Sequence, residues 1–255
     1  MTAFSGTVLI TGASAGIGAA CARAFAAAGA RLILAARRTE RLEAIAEELQ
    51  RAHGTGTHQL ALDVRELGVV TQLLAQLPAE WEAIDVLVNN AGLGRGLDPL
   101  QEGDPTEWDE MIDTNVKGLL YVTRAVLPGM IERGRGHVIN LGSVAGHEVY
   151  PGGNVYAATK HAVDAITRGL RMDLFGTPVR VSTVDPGLVE TEFSRVRFRG
   201  DEERAKRVYH GYQPLTPADV ADAVLYCATR PPHVNIDEII LKPVAQASAM
   251  LVHRE

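Results

Sequence analysis

The stretch Thr7-Val-Leu-Ile-Thr-Gly-Ala-Ser-Ala-Gly-Ile-Gly18 places a short apolar strand directly before three glycines and an alanine-rich helix. Gly12 permits a tight turn, Gly16 lets the backbone approach a pyrophosphate, and Gly18 lets the helix pack closely on the sheet. The N-terminus of the helix adds unpaired N–H groups and partial positive charge. A purely structural strand-to-helix turn is the alternative, but the flanking strand and helix favour a dinucleotide-binding site.

Strand-like and helix-like patterns continue to alternate along the rest of the chain. Apolar runs predict strands at residues 7–11, 31–36, 59–62, 85–89, 137–141, 179–184 and 238–241, and helical patterns occupy 16–29, 39–52, 66–77, 108–133 and 155–176. Such an alternation predicts an α/β fold with one doubly wound, Rossmann-type parallel sheet of about seven strands and helices on both faces. Thr39 is predicted to cap the second helix.

The organisation of the chain points to one folding unit. No Pro/Gly/Ser-rich linker and no repeat interrupts the sequence, so residues 1–255 are predicted to form a single dinucleotide-binding catalytic domain. Residues 190–213 are charged, lack a clean period and follow the carboxyl end of a strand, where ligands bind in a doubly wound sheet. We interpret this segment as a substrate lid, with an ordinary exposed loop as the alternative.

The amino-acid composition limits the kinds of partner that the chain can bind. The chain has 25 basic and 31 acidic residues and a net charge of −6, which offers no general attraction for nucleic acid or an anionic membrane. No apolar run reaches the roughly 20 residues that span a bilayer, and the N-terminus lacks the basic region of a signal peptide, so a cytoplasmic location is expected. Cys21 and Cys227 lie outside any Cys/His cluster, which predicts buried free thiols and no metal site.

The residues after the second strand indicate which dinucleotide is bound. An NAD site usually carries an acidic residue about 20 positions after the glycines, where it bonds the ribose hydroxyls. This chain has Arg37 and Arg38 instead, and two guanidiniums can hold a 2′-phosphate by charge-assisted hydrogen bonds. The pattern favours NADP; the alternative is two solvated arginines that pair with Glu40 or Glu43.

A group of four polar residues is a candidate for the chemistry. Tyr156 and Lys160 are four residues apart at the start of a helix, so they share one face. A phenol with a pKa near 10 is a poor catalyst at neutral pH, and a neighbouring ammonium lowers that pKa. Ser143 follows a strand and can hold a substrate oxygen, while Asn115 can bend its helix and hold a water beside Lys160. The alternatives are a packed, snorkelling Tyr/Lys pair, a turn serine and a buried amide.

Together these motifs resemble the short-chain dehydrogenase/reductase family, which uses the glycine spacing G-x-x-x-G-x-G. The resemblance spans the chain and includes Asn115, Ser143, Tyr156 and Lys160 in the family's order. It implies that these residues bind the cofactor: Gly12, Ser14, Gly16, Ile17, Gly18, Arg37, Arg38, Asp63, Val64, Asn89, Ala91, Gly92, Tyr156, Lys160, Pro186, Gly187, Val189 and Thr191. Taken alone, Asp63 could equally cap a helix.

The resemblance also implies a mechanism and an assembly. Hydride passes between the nicotinamide and a carbonyl carbon, Tyr156 transfers the proton, Ser143 stabilises the substrate oxygen, and Lys160 binds the nicotinamide ribose and tunes Tyr156. Family members are commonly tetramers or dimers in which helices around residues 106–133 and 155–176 pair between subunits. A homo-oligomer, most simply a tetramer, is therefore expected.

The C-terminal third resembles a narrower branch of the family, that of NADP-dependent serine and 3-hydroxy acid dehydrogenases. The similar stretches are residues 152–156, 192–201, 233–238 and 242–246. This likeness predicts a small 3-hydroxy acid or semialdehyde as substrate. Two other functions stay open: the same chemistry on an uncharged alcohol, sugar, polyol or secondary-metabolite ketone, and a non-catalytic dinucleotide-binding sensor.

A substrate acid group needs a cation, and the lid offers Arg195, Arg197 and Arg199. Arg197 is our first choice as the residue that binds the carboxylate. The alternative is a solvated basic loop that pairs with acidic residues 201–203. Glu148 would repel a carboxylate if it faced the pocket, which counts against the idea.

Overall fold

Seven short segments form the strands of the computed structural model, which describes residues 4–255. They are β1 (Thr7–Thr11), β2 (Arg31–Ala36), β3 (Thr57–Ala61), β4 (Ile84–Asn89), β5 (Gly136–Leu141), β6 (Val179–Pro186) and β7 (Glu238–Leu241). All neighbouring strands are parallel, in the order β3-β2-β1-β4-β5-β6-β7. Buried aliphatic side chains on both faces of the central strands explain their near-continuous apolar sequence.

Helices cover both faces of this sheet. They are α1 (Gly16–Ala27), α2 (Thr39–His53), α3 (Leu67–Ala75), α4 (Pro105–Ile112), α5 (Leu119–Glu132), α6 (Asn154–Asp173), α7 (Phe193–Arg197), α8 (Glu202–Val208) and α9 (Pro217–Ala228). One core lies between the sheet and α1, α2 and α9, and a second lies under α3 and α5. The predicted doubly wound, seven-stranded fold is confirmed.

The strand order creates a crevice at the carboxyl edge of the sheet. β1 pairs with β2 on one side and β4 on the other, so the connections diverge there, and ligands bind at such a switch point. Thr11 joins the loops that leave β1 and β4, because its Oγ1 accepts hydrogen bonds from the backbone N–H groups of Asn90 and Ala91, both at 3.0 Å. Hydrogen bonds between the ends of β1 and β4 thus fix the shape of the crevice at this point.

Three local predictions need correction. The helix predicted over 108–133 is interrupted by a π-helical turn, Asp113–Gly118, because Asn115 turns its amide toward the backbone of Leu93. Thr39 is not a cap: the chain leaves β2 within two residues, so Thr39 is already the first helical residue and Arg38 precedes it without a side-chain cap bond. The segment 190–213 is not irregular throughout, since it contains α7 and α8.

Both cysteines are buried free thiols, as the sequence predicts. Burial raises the pKa of the Cys21 thiol to about 12 and that of Cys227 to about 11. A thiol with so high a pKa carries little of the reactive thiolate at neutral pH, so these cysteines act as small apolar core residues. Among the described residues, no helix combines the length and the hydropathy that crossing a bilayer requires.

His137 makes the stability of this sheet depend on pH. Its ring lies buried inside β5, with Nε2 2.7 Å from Ser182 Oγ, and the Ser182 hydroxyl is itself donated to Ile236 O. Burial, and then the charge of Arg180, lower the pKa of His137 from 6.5 to about 3. The unfolded chain therefore takes up a proton below pH 6.5 that the folded chain refuses, and the free energy of unfolding falls as the pH drops.

His137→Gln should remove this dependence. Between pH 6.5 and pH 5 the parent should lose up to about 1.4 kcal/mol of unfolding free energy per pH unit through this one site, and the variant should lose less. Urea unfolding at several pH values measures both slopes. His53→Gln, at the exposed end of α2, is the control, and equal slopes in all three proteins would contradict the interpretation.

Candidate active site

The glycine turn forms the floor of the crevice. Gly12 and Gly16 have φ angles of +65° and +53°, a region that side chains rarely adopt. A Cβ on Gly18 would collide with Gly12 O and the Asn90 side chain. The Asn90 amide holds the turn by donating to Thr11 O at 2.9 Å and Gly12 O at 3.2 Å. Gly12 and Gly16 therefore leave the backbone of the turn accessible from the crevice, and Gly18 lets α1 pack closely against the turn.

A cavity of about 670 Å³ opens above this turn, a size typical of ligand sites. It brings together most of the predicted site residues. Its walls include Gly12, Ser14, Gly16, Ile17, Arg37, Arg38, Asp63, Val64, Ala91, Gly92, Ser143, Tyr156, Lys160, Pro186, Gly187, Val189, Thr191 and Arg197.

Three predicted residues do not line the cavity: Gly18, Asn89 and Asn115. Gly18 serves packing, as described above. The Asn89 side chain does not reach the cavity, since its amide is buried within the protein and donates to Thr123 Oγ1 and Asn140 Oδ1, both at 2.9 Å. Side chains of successive strand residues point to opposite faces, so it is the next residue, Asn90, that reaches the crevice.

Asn115 lies behind the cavity wall in the π-helical turn. Its Oδ1 accepts from Leu93 N and its Nδ2 donates to Leu93 O, both at 2.8 Å, while Nδ2 also donates to Thr159 Oγ1 at 3.0 Å. An extra residue in a helical turn is the device that rotates this amide out of the regular helix. Asn115 thus clamps the loop after β4 to α6, the helix that carries Tyr156 and Lys160.

Tyr156 and Ser143 line the same cavity. The Ser143 Oγ lies 3.4 Å from Pro186 O and accepts a hydrogen bond from Ala145 N at 3.1 Å. Desolvation in the cavity raises the pKa of Tyr156, while the charge of Arg197 and the neighbouring Ser143 hydroxyl act against that rise. The phenol is therefore protonated at neutral pH in the absence of ligands.

Lys160 does not act on the Tyr156 phenol in the way that the sequence suggested. Its Nζ donates to Leu141 O at 2.8 Å and lies 6.0 Å from the centre of the Tyr156 ring. Burial lowers the pKa of Lys160 from 10.5 to about 8, and the nearby Asp185 carboxylate opposes this. The expected lowering of the Tyr156 pKa by Lys160 is not found in this structure; the cation that has this effect is Arg197.

Arg197 differs from the other two arginines of its segment. Arg195 is exposed and pairs with Glu202, and Arg199 is exposed and pairs with Glu107 and Asp104. Arg197 points into the cavity, where its guanidinium lies 4.7 Å from the Tyr156 ring.

The polar contacts of Arg197 are incomplete. Its Nη2 donates to the Tyr150 hydroxyl at 3.1 Å, and its buried Nε has no hydrogen-bond partner within residues 4–255. Glu148, which would repel a substrate carboxylate if it faced the cavity, does not line it and accepts a hydrogen bond from Ala249 N. The guanidinium is a cation with free donors beside the reactive phenol, which is the property that an anion-binding residue needs.

The two arginines after β2 lie at the opposite end of the cavity. Arg38 contacts Ser14 Oγ through Nε at 3.3 Å and Nη2 at 3.2 Å, and its Nη1 lies 3.0 Å from Glu192 Oε2. Arg37 is exposed and has a long ion pair of 3.9 Å with Asp63. Glu40 and Glu43 form no ion pair with either arginine in the part of the chain that the structure describes. Asp63 does not cap α3, since Glu66 precedes that helix.

Several residues of the cavity were not identified as site residues from the sequence, among them Asn90, Tyr150, Glu192 and Phe193. Tyr150 and Phe193 complete an aromatic wall with Tyr156, and the Phe193 ring centre lies 5.5 Å from that of Tyr156. The only local signal for Tyr150 is its place before the Pro-Gly-Gly turn that leads to Tyr156. The contacts of Glu192 and Phe193 join distant parts of the chain, so no local pattern predicts them.

The fold and cavity define a Rossmann-type dinucleotide-binding protein, and comparisons identify its family. A family model described as short chain dehydrogenase matches residues 6–202. The NADP-dependent 3-hydroxy acid dehydrogenase YdfG of Salmonella typhi is 52% identical over 249 residues, which cover 97% of this chain and 99% of that protein. Sulfoacetaldehyde reductase 2 of Chromohalobacter salexigens is 48% identical over 253 residues, covering 98% and 100%.

A solved structure, the closed form of serine dehydrogenase complexed with NADP⁺, superposes with a TM-score of 0.91 at 50% identity and covers 98% of this chain and 100% of that one. The chain belongs to the short-chain dehydrogenase/reductase family, which confirms the resemblance of its motifs. It is an NADP-dependent dehydrogenase, as predicted. The cavity fits this cofactor, since it has glycine backbone at its floor and the Arg37, Arg38 and Ser14 donors at one end.

Proposed function

We propose that the protein transfers a hydride between NADP and a small 3-hydroxy acid or its semialdehyde, such as serine or 3-hydroxypropionate. The observation that carries this substrate class is the Arg197 guanidinium, which faces the cavity 4.7 Å from the Tyr156 ring with its buried Nε unpaired among the described residues. A substrate that reacts at Tyr156 and bears an acid group one or two carbons away matches this spacing. An uncharged alcohol would leave the guanidinium without an anion.

Different residues of the cavity have different roles in the proposed reaction. Bound NADP supplies or accepts the hydride. We propose that Tyr156 exchanges a proton with the substrate oxygen while Ser143 donates a hydrogen bond to it, since both hydroxyls line the same cavity and the Ser143 hydroxyl is near enough to affect the pKa of Tyr156. Lys160 binds the nicotinamide ribose from the buried end of α6, and Asn115 positions that helix through Leu93 and Thr159. At the other end, Arg37, Arg38 and Ser14 bind the 2′-phosphate.

The relatives support an acidic substrate. The names of the three proteins described above refer to a 3-hydroxy acid, to serine and to sulfoacetaldehyde. Each of these compounds carries a carboxylate or sulfonate beside the reacting carbon chain. Arg197, with Tyr150 next to it, offers donors to either anion, so sulfoacetaldehyde belongs in the substrate tests.

A matched pair of substrates tests the proposal. With NADP⁺, kcat/KM for 3-hydroxypropionate should exceed that for 1,3-propanediol by about 100-fold, because the acid group alone distinguishes the two compounds and a buried charge pair contributes several kcal/mol. Initial rates of NADPH formation, with L-serine and NAD⁺ as further arms, measure this ratio. Equal kcat/KM for acid and diol would reject the substrate class while leaving the dehydrogenase assignment intact.

Assembly and location stay predictions. We propose a homo-oligomer, a tetramer or a dimer, with no nucleic-acid or membrane partner and a cytoplasmic location. The exposed apolar side chains of Met172 on α6 and of Phe175 just beyond it are the observation that favours contact with another subunit. Light scattering on the purified protein measures the mass, and a monomer at micromolar concentration would contradict the prediction.

A further inference from the structure

Glu192 joins the two ends of the cavity. Its Oε2 lies 3.0 Å from Arg38 Nη1 and its Oε1 lies 2.9 Å from Arg41 Nη1, contacts between residues that are 154 and 151 positions apart in the sequence. The bonds from Arg41, and then from Arg38, hold the pKa of Glu192 below its ordinary value. Glu192 is therefore an anion at neutral pH, and it is bound to arginines that no other carboxylate pairs with in the described chain.

The Glu192 carboxylate lies at the cofactor end of the cavity. Arg38 lines the cavity and also contacts Ser14 on the glycine turn, so its donors face the end where a 2′-phosphate would lie. Thr191, the residue before Glu192, lies against Gly16 of the same turn. The Glu192 carboxylate thus occupies one nitrogen of the Arg38 guanidinium, a group that the 2′-phosphate of NADP needs as a partner.

We infer that Glu192 holds the place of the cofactor's 2′-phosphate in the cofactor-free enzyme, and that NADP binding takes Arg38 away from it. A phosphate monoester carries about −1.5 to −2 charges and three acceptor oxygens, so it competes well against a single carboxylate. NAD lacks that phosphate and leaves the Glu192–Arg38 pair intact. The inference rests on the proposed role of Arg38 as a phosphate-binding residue.

The same residue connects the cofactor to the substrate. Glu192 directly precedes α7, the short helix that carries Phe193 and Arg197. Both side chains pack on Tyr156, with the Phe193 ring at 5.5 Å and the Arg197 guanidinium at 4.7 Å. When the phosphate replaces Glu192 on Arg38, the start of this helix keeps its bond to Arg41 but loses the one to Arg38, the arginine that lines the cavity. Glu192 is thereby a specificity residue: its contact with Arg38 is lost when NADP binds and kept when NAD binds, and this difference reaches α7.

Calorimetric titration of Glu192→Gln tests the inference without substrate. The variant should bind NADP⁺ and 2′-AMP about fivefold more tightly than the parent, since a competing, partly exposed ion pair has been removed, and NAD⁺ affinity should change less than twofold. Glu202→Gln is the matched control: it removes the same charge from the same segment, where Glu202 pairs with Arg195 at 3.5 Å. It should leave all three dissociation constants within twofold of the parent values.

Two results would overturn the inference. One is an unchanged or weaker affinity of Glu192→Gln for NADP⁺; the other is an equal gain for NAD⁺, which would reveal only a general loss of negative charge. Arg38→Gln in the same titration separates this inference from its premise. If Arg38→Gln keeps full NADP⁺ affinity, the phosphate role of Arg38 and the inference both fail; if it loses affinity while Glu192→Gln is unchanged, only the inference fails.

Discussion

Tyr156→Phe is expected to lower kcat by about 1,000-fold, because the variant retains the ring but has no proton to exchange with the substrate oxygen. The phenol lines the cavity together with Ser143, whose hydroxyl affects its pKa. Loss of a single hydroxyl should leave the dissociation constant of NADP⁺ within a few-fold of the parent value. Single-turnover rates of NADPH formation and calorimetric binding of NADP⁺ together measure the two quantities.

A neighbouring tyrosine provides the contrast. Tyr150 lines the same cavity and contacts Arg197, so Tyr150→Phe should raise KM for an acidic substrate by about tenfold or less, with a smaller effect on kcat. Turnover by Tyr156→Phe within tenfold of the parent rate would defeat the assignment of proton transfer to Tyr156. It would also reopen the alternative in which the cavity binds a dinucleotide without catalysis.

Arg197→Met should produce the second largest effect. Methionine keeps much of the side chain's volume and removes the charge, so kcat/KM for 3-hydroxypropionate should fall about 100-fold while that for 1,3-propanediol changes little. Arg195→Met is the matched control, because Arg195 carries the same charge two residues away but is exposed and pairs with Glu202. It should retain the parent's ratio of acid to diol activity.

The pH profile gives this variant an independent readout. Arg197 is the cation that acts against the desolvation-driven rise in the pKa of Tyr156. Removing it should raise that pKa further, so alcohol oxidation, which needs the phenolate, should shift to higher pH in Arg197→Met and not in Arg195→Met. A variant with an unchanged profile and an equal loss on acid and diol would show that Arg197 only supports the cavity wall.

Local patterns predicted the scaffold well because each pattern has a local cause. The strand–glycine–helix run at residues 7–18 shows where the turn lies, since Gly12 and Gly16 adopt positive φ angles that other residues avoid. Buried parallel strands must be apolar along their whole length, so β1, β2 and β4 stand out in the sequence. The π-helical turn at Asn115 was anticipated only as a bend, since the bond that forms it comes from Leu93.

The candidate site was predicted in part for the same reason. Ser143, Tyr156 and Lys160 follow from motifs whose spacing lies within one turn or one strand end, and the structure brings all three to one cavity. The motif did not show that the Asn89 side chain turns away from the cavity, because adjacent strand residues face opposite ways and the sequence does not say which one faces the crevice. The effect of Lys160 on the phenol was overestimated, since helical spacing sets neighbours but not where an ammonium finds its acceptor.

By itself the sequence determined the doubly wound sheet, the position of the glycine turn, the preference for NADP and three polar groups, Ser143, Tyr156 and Lys160, that line the cavity. These depend on backbone propensity, apolar periodicity and residues close together in the chain. Only the tertiary structure decided which arginine of residues 190–213 enters the cavity beside Tyr156 and which carboxylate meets Arg38. Those choices depend on contacts between segments up to 154 residues apart, and the relative placement of such segments is set by the packing of helices on the sheet, which no short stretch of sequence encodes.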